Sequence, residues 1–184
     1  MKAKLSQLLT LAPVALAALA PMGARAAAVD YFLKIEGVEG ESTDKNHPKE
    51  IVLDSFSLSG ANSVSTSTAG GAGAGKVTFQ DLSATAKISK VQPQLFLKTA
   101  NGQVIPTVTL SARRSGAAFD FYTIKLTNVS VTSIQTAGRT GEIPTDTFTL
   151  YFSKINWKYT PLNEKGAAGT PVEATWDVKA NKGS

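Results

Sequence analysis

FDFYTIKLTNVSVTSI, residues 119–134, decides the fold. Tyr122, Ile124 and Leu126 place apolar side chains at even positions, and Val129 and Val131 then place them at odd ones. A β-strand turns alternate residues to opposite faces, so a strand that keeps its apolar side in a core changes phase only where its backbone bulges or bends. Here the change falls at about Asn128. Two other stretches behave alike. Phe148, Leu150 and Phe152 give way to Ile155, Trp157 and Tyr159, with the change near Ser153. Val77 and Phe79 give way to Leu82, Ala84 and Ala86, with the change near Asp81. A bent strand serves two sheets, which is how a sheet curls and closes. The expected fold is mainly β: an antiparallel β-barrel made of two curved sheets.

Further strands are predicted over residues 30–36, 51–58, 104–113 and 172–179 by alternation and β-branched or aromatic content. The long segments at 76–86, 119–134 and 145–159 complete the set. Pro106 stands near a strand start, where a missing donor is tolerated. Trp157 and Trp176 fall in alternating strands and are expected to pack on the core. Residues 39–50, EGESTDKNHPKE, are polar and form an exposed loop, long for a compact barrel. Residues 61–75 are almost all Ala, Gly, Ser and Thr, a composition suited to a mobile linker.

One helix is predicted, SKVQPQLFLKTANG at 89–102. Ser89 with Gln92 suits a capping box, Pro93 is tolerated only near a helix start, and Lys98 suits the negative C-terminal end. Asn101-Gly102 is a left-handed stop. Val91 with Leu95, and Phe96 with Ala100, are four apart and offer an apolar face to a sheet.

The first 26 residues have the parts of a secretory signal: Lys2 and Lys4, an apolar run from Leu8 to Leu19, and small residues ending in Ala24-Arg25-Ala26. Cleavage is expected after Ala26 or, alternatively, after Ala28. Pro13 and Pro21 interrupt the run, which is too short for a comfortable membrane span, so stable membrane insertion is not expected. Residues 27–184 then form a single domain. Without Lys2, Lys4 and Arg25 the chain keeps 16 bases against 14 acids, a net charge of +2. Its bases are scattered apart from Arg113-Arg114, and nothing resembles the positive stripe that nucleic-acid binding needs. The chain has no cysteine, so disulfides and thiolate metal sites are excluded.

Motifs with chemical content fail their context tests. GGAGAGK at 70–76 matches the start of a phosphate-binding loop, but Val77 stands where Ser or Thr must hold magnesium, and strand alternation follows instead of a helix. His47, the single histidine, lies between Asn46 and Pro48 in the polar loop and is read as solvated. No nucleophile elbow or thiol accompanies it. Glu39, Glu41 and Asp44 would do acid–base work only in a cleft that shifts their pKa values, and on an exposed loop they are read as polar contacts. No catalytic, cofactor-binding or metal-binding residues are assigned, and no cofactor is expected.

Several segments together resemble the haemolysin-coregulated protein family, Hcp, of type VI secretion systems. They are DYFLKIEGVEGESTD at 30–44, AGKVTFQDLSATAKISKVQPQLF at 74–96, FYTIKLTNVSVTSIQ at 121–135, FSKINWKYTP at 152–161 and WDVKANK at 176–182. The resemblance implies a β-barrel flanked by one helix, a non-enzymatic subunit, and copies of the chain as its own partners: a homo-hexameric ring, with rings stacking into a hollow tube. Secreted effector proteins or a spike protein are the further partners it suggests. The family's extended loop corresponds to residues 39–50, so Glu39, Glu41, Ser42, Thr43, Asp44, Lys45, Asn46, His47 and Lys49 are expected at the contact between rings. The helix is then placed on the barrel wall, Val91 and Leu95 inward, with Lys90, Gln94 and Lys98 facing a neighbour or the lumen. The leader departs from the family pattern, since tube subunits are ordinarily loaded from the cytoplasm. It implies an exported protein, periplasmic or extracellular. An alternative role is a secreted carrier module that holds an effector or external partner without a contractile machine.

Overall fold

The computed structural model describes residues 28–62, 77–163 and 167–184. The leader, the glycine-rich stretch at 63–76 and the GGAGAGK motif lie outside them. The described residues form eleven strands and one helix, in chain order: β1 (Val29–Ile35), β2 (Ile51–Ser57), β3 (Gly60–Asn62), β4 (Val77–Phe79), β5 (Leu82–Lys87), α1 (Gln92–Asn101), β6 (Ile105–Arg114), β7 (Asp120–Ala137), β8 (Thr145–Tyr151), β9 (Lys154–Tyr159), β10 (Val172–Asp177) and β11 (Lys182–Gly183).

All strand pairings among the described residues are antiparallel. The main sheet runs β11-β10-β9-β7-β6-β1-β2-β5-β8, and β8 pairs again with β7, closing six strands into a barrel. β3 and β4 form a separate two-stranded arm. Two meanders are visible in this order, one before α1 and one after it. They meet along two seams: β1 on β6, with Ile35 opposite Val108, and β5 on β8, with Leu82 opposite Leu150. Leu33, Leu82, Val108, Leu110, Ile124, Leu126, Phe148, Leu150 and Ile155 fill the interior and are essentially inaccessible. Each such side chain contributes roughly 1.5–3 kcal/mol of burial.

The phase changes mark the bends. Asn128 has φ 51°, a left-handed value that asparagine tolerates better than most residues. Ile124 and Leu126 are buried before it, and Val129 and Val131 after it. β8 and β9 form one line of partners along β7, interrupted at Phe152 and Ser153 beside Asn128. β4 ends at Phe79 and β5 begins at Leu82, so the third bend is at Gln80-Asp81. Further irregularities escaped the alternation: register shifts between Leu53 and Ser55, between Ala112 and Arg113, and between Val131 and Ser133. Ala61 and Asn62, read as linker, are paired with Thr78 and Val77. Trp157 and Trp176 are partly buried against the core, as expected.

The helix is shorter than its sequence suggested and starts differently. Val91, not Ser89, is the N-cap, and no side chain caps it. Ser89 instead closes a turn, its carbonyl accepting from Gln92 N–H at 3.1 Å, while the Gln92 amide donates to Thr136 Oγ1 across to β7. The capping box therefore does not form: the Ser89 hydroxyl accepts from the Val91 N–H at 3.4 Å, one residue short of the helix. Pro93 sits in that turn, Lys98 in the last, and Gly102, at φ 64°, ends the helix. Val91 and Leu95 are buried in the barrel core as predicted. The second half of the predicted apolar face does not pack: Phe96 is 59% exposed, and Ala100 is exposed too.

Candidate assembly surfaces

The loop at 39–50 is polar, yet it is closed on itself. Gly40 N–H donates to the Lys49 carbonyl at 2.7 Å, Ser42 N–H to the Glu50 carbonyl at 3.0 Å, and Lys49 N–H back to the Ser42 carbonyl at 2.9 Å. Only glycine fits at position 40, because a Cβ there would lie 2.2 Å from the Glu50 carbonyl oxygen. Within the lobe, Asp44 Oδ1 accepts from the backbone N–H groups of Asn46 (2.8 Å) and His47 (3.0 Å). These bonds form because an aspartate side chain can replace backbone carbonyls in a tight turn. The Asn46 N–H, then that of His47 and the Arg113 charge, hold the Asp44 carboxyl below the usual carboxylate range. A carboxyl lowered in the folded state stabilises at neutral pH, and that contribution is lost as pH falls through the lowered value.

The reading of His47 as a solvated loop residue is overturned. The imidazole is 5% exposed and stacks on the Phe32 ring, centroids 4.3 Å apart and planes 10° from parallel. Nδ1 meets Glu50 Oε2 at 2.9 Å and Nε2 meets Asp120 Oδ1 at 3.0 Å. Arg113 donates through Nε and Nη2 to the same Asp120 oxygen at 2.9 and 2.8 Å. Its Nη1 is buried without a hydrogen bond, 3.8 Å from Asp44 Oδ1. The loop is therefore bolted to β1, β6 and β7. A guanidinium stands among these carboxylates, and among the described residues no group of His, Asp and Glu is arranged to hold a metal ion.

One signal for this was present in the sequence. Phe32 is an aromatic on the otherwise polar side of β1, beside Lys34, and an aromatic there needs a cover. His47 supplies it, and Asp44 and Glu50, three residues to either side, bond to His47.

The predicted loop residues thus divide. Glu39, Glu41, Thr43, Lys45, Asn46 and Lys49 are exposed, Asp44 is half-buried, and Ser42 and His47 are buried. Lys49 and Glu39 form a surface pair at 3.1 Å, which holds the Glu39 carboxyl below its ordinary value. Glu41 Oε1 accepts from the Lys90 backbone N–H at 3.0 Å and ties the loop to the approach of α1. On the helix side, Lys90 and Gln94 are exposed, while Lys98 is half-buried and donates to Gln103 at 3.0 Å.

A second surface lies where the sheet leaves the barrel. Ala112, Tyr122, Tyr159 and Val172 stand opposite one another on β6, β7, β9 and β10, all on the core side of the sheet. Along this row, Ala112 is 1% exposed, Tyr159 46% and Val172 69%. The apolar side is covered within the barrel and progressively bare beyond it. Phe121 packs edge-on to Tyr159, and Arg114 lies over the Phe121 ring at 4.9 Å. An open cleft of about 700 Å³ beside them is lined by Arg114, Phe119, Phe121 and Leu162, and among the described residues Arg114 is the one ionisable side chain that lines it. Among the described residues no nucleophile, acid and base converge there.

Comparison with known proteins agrees with this architecture. The profile of the family described as "Type VI secretion system effector, Hcp" matches residues 32–159. Protein hcp1 of Pseudomonas aeruginosa is 39% identical over 158 residues, covering 84% of this chain and 98% of its own. A solved type six secretion system protein superposes with a TM-score of 0.81 at 30% identity, covering 85% of this chain and all of the other. Hcp1 from Salmonella typhimurium gives a TM-score of 0.71 at 28% identity, covering 85% of this chain and 99% of its own. Extent, identity and fold together place the chain in one family: it belongs to the Hcp family of type VI secretion proteins.

Proposed function

We infer that the chain is a non-enzymatic structural subunit that forms hexameric rings able to stack into a hollow tube. The observation that carries this reading is the unfinished apolar face of β9 and β10. A barrel that fills its own core has no use for Tyr159 and Val172 in water. A head-to-tail neighbour covers the same patch on every copy, and a contact of that kind closes into a ring when the rotation permits. The exposed part of the 39–50 lobe, from Glu39 through Lys49, then joins ring to ring. Its closed backbone supports that role, since a preorganised loop loses little entropy on docking. Lys90, Gln94 and Lys98 face a neighbour or the lumen, and secreted effectors or a spike protein are the further partners.

Electron microscopy of the chain beginning at Ala27 tests the assembly: six-fold rings are expected, with tubes at high concentration. Monomers persisting at high concentration would overturn it. The leader supports an exported protein. The mass of the isolated protein's N-terminus tests this, with a start at Ala27 or Val29 expected and an intact Met1 excluding export through a cleaved leader.

A further inference from the structure

We propose that His47 is the proton-operated clasp of the 39–50 loop: as an imidazolium it fastens the loop to the barrel wall, and on losing its proton it lets the loop go. The geometry fits the charged form. Both ring nitrogens face carboxylate oxygens, Glu50 at 2.9 Å and Asp120 at 3.0 Å. A neutral imidazole donates from one nitrogen and presents a lone pair at the other, which would then oppose a carboxylate. Only the imidazolium donates to both.

The surrounding charges point the same way. Facing the ring are Glu50 and Asp44 from the loop, Asp120 from β7 and Arg113 from β6; Phe32 of β1 stacks on it and brings no charge. Three carboxylates then meet one guanidinium, and a charged His47 brings the count from one cation to two. Loss of that proton leaves Glu50 and Asp120 sharing a half-buried site with Arg113 alone, and Arg113 reaches Asp120 but not Glu50.

Release has somewhere to go, because the lobe is strained. Lys49 holds φ 60°, a left-handed value that a lysine adopts only under constraint. It lies between His47 and Glu50, the two ends of one arm of the clasp. Without that arm, Lys49 is free to relax, and its N–H bond to Ser42 and carbonyl bond to Gly40 go with it.

The clasp acts on the loop whether or not rings form; its effect on stacking rests on the function proposed above. His47 is the single histidine of the chain, so its ring Cε1–Hε1 resonance in a proton–carbon NMR spectrum is unambiguous. A titration from mildly acidic to alkaline pH, with hydrogen exchange at the Gly40, Ser42 and Lys49 amides, tests the idea. The ring is expected to titrate from imidazolium to neutral. Protection of the three amides should fall about tenfold or more with the same midpoint, the scale of a lost charge-assisted hydrogen bond. In His47→Phe, which keeps the stack on Phe32 but no donor, and in Glu50→Gln, the amides should be weakly protected or pH-independent. A ring that is neutral throughout, or amides indifferent to its titration, overturns the clasp. Ring stacking measured across the same range separates the two readings. Loop release without loss of stacking leaves the clasp standing and removes the loop from the ring contact, whereas loss of stacking with unchanged amides refutes the clasp alone.

Discussion

The 39–50 loop and the β9–β10 extension are opposites. The loop is almost wholly polar, yet its backbone is self-paired, its one aromatic heterocycle is buried, and it is bound to three strands through His47, Asp120 and Arg113. The extension is rich in Trp, Tyr and Val, the residues expected inside, yet it leaves Tyr159 and Val172 bare. Composition alone would have ranked them the other way. Polar groups order a segment when each finds its partner, and apolar groups remain exposed when their partner belongs to another molecule.

Substitutions can break this contrast, and the largest effect belongs to neither region. Phe148→Ala removes a ring from the barrel interior where β8 closes against β5. It should cost roughly 3–5 kcal/mol by urea unfolding, through lost burial and the cavity left behind. Loop and extension should lose order together, since both are built on the closed barrel. Gly40→Ala comes next. Its Cβ meets Glu50 backbone rather than a flexible side chain, so the lobe's base must open. A loss of about 1–3 kcal/mol is expected, the usual range for forced overpacking, with exchange protection lost in the loop but kept in β6 and β7. The smallest effect on folding belongs to Tyr159→Ser combined with Val172→Ser. Val172 is largely in solvent and Tyr159 about half so, with one edge contact to Phe121, so urea unfolding of the monomer should shift by no more than about 0.5 kcal/mol for Val172 and about 1 kcal/mol for Tyr159. Ring formation should nonetheless weaken by tenfold or more in sedimentation. A variant as well assembled as the parent would return the extension to the status of an ordinary surface.

The sequence disclosed the bends better than the contacts. Phase changes at Asn128, Ser153 and Asp81 are visible because apolar side chains report which face they occupy, and a fixed core face turns a backbone irregularity into a switch of parity. The register shifts at Leu53/Ser55 and Ala112/Arg113 left no such trace: Asp54, Ser55, Ser111 and Arg113 are polar, so a change of face among them alters no apolar pattern. Val91 and Leu95 were legible from their spacing, but Phe96 was not separable from them, since helical periodicity gives the width of a stripe and not which part of it meets the barrel. His47 was misread for a different reason. Its partner Asp120 lies 73 positions away in sequence, and no local pattern carries a contact of that range.

The place of α1 between the two meanders has a consequence for how the chain reaches its final form. β1, β2 and β5 pair among themselves before the helix, and β6 to β10 pair among themselves after it. The seams that join the halves are long-range: Ile35 meets Val108, and Leu82 meets Leu150. Contacts of such sequence separation slow folding, because the loop they close must be ordered before the seam repays it. A chain that has emerged only as far as Lys87 therefore carries two open strand edges and no closed core. Until β8 arrives it is a half-shell hinged at Gln92–Asn101, the state in which this protein is most open to aggregation or to capture by a chaperone.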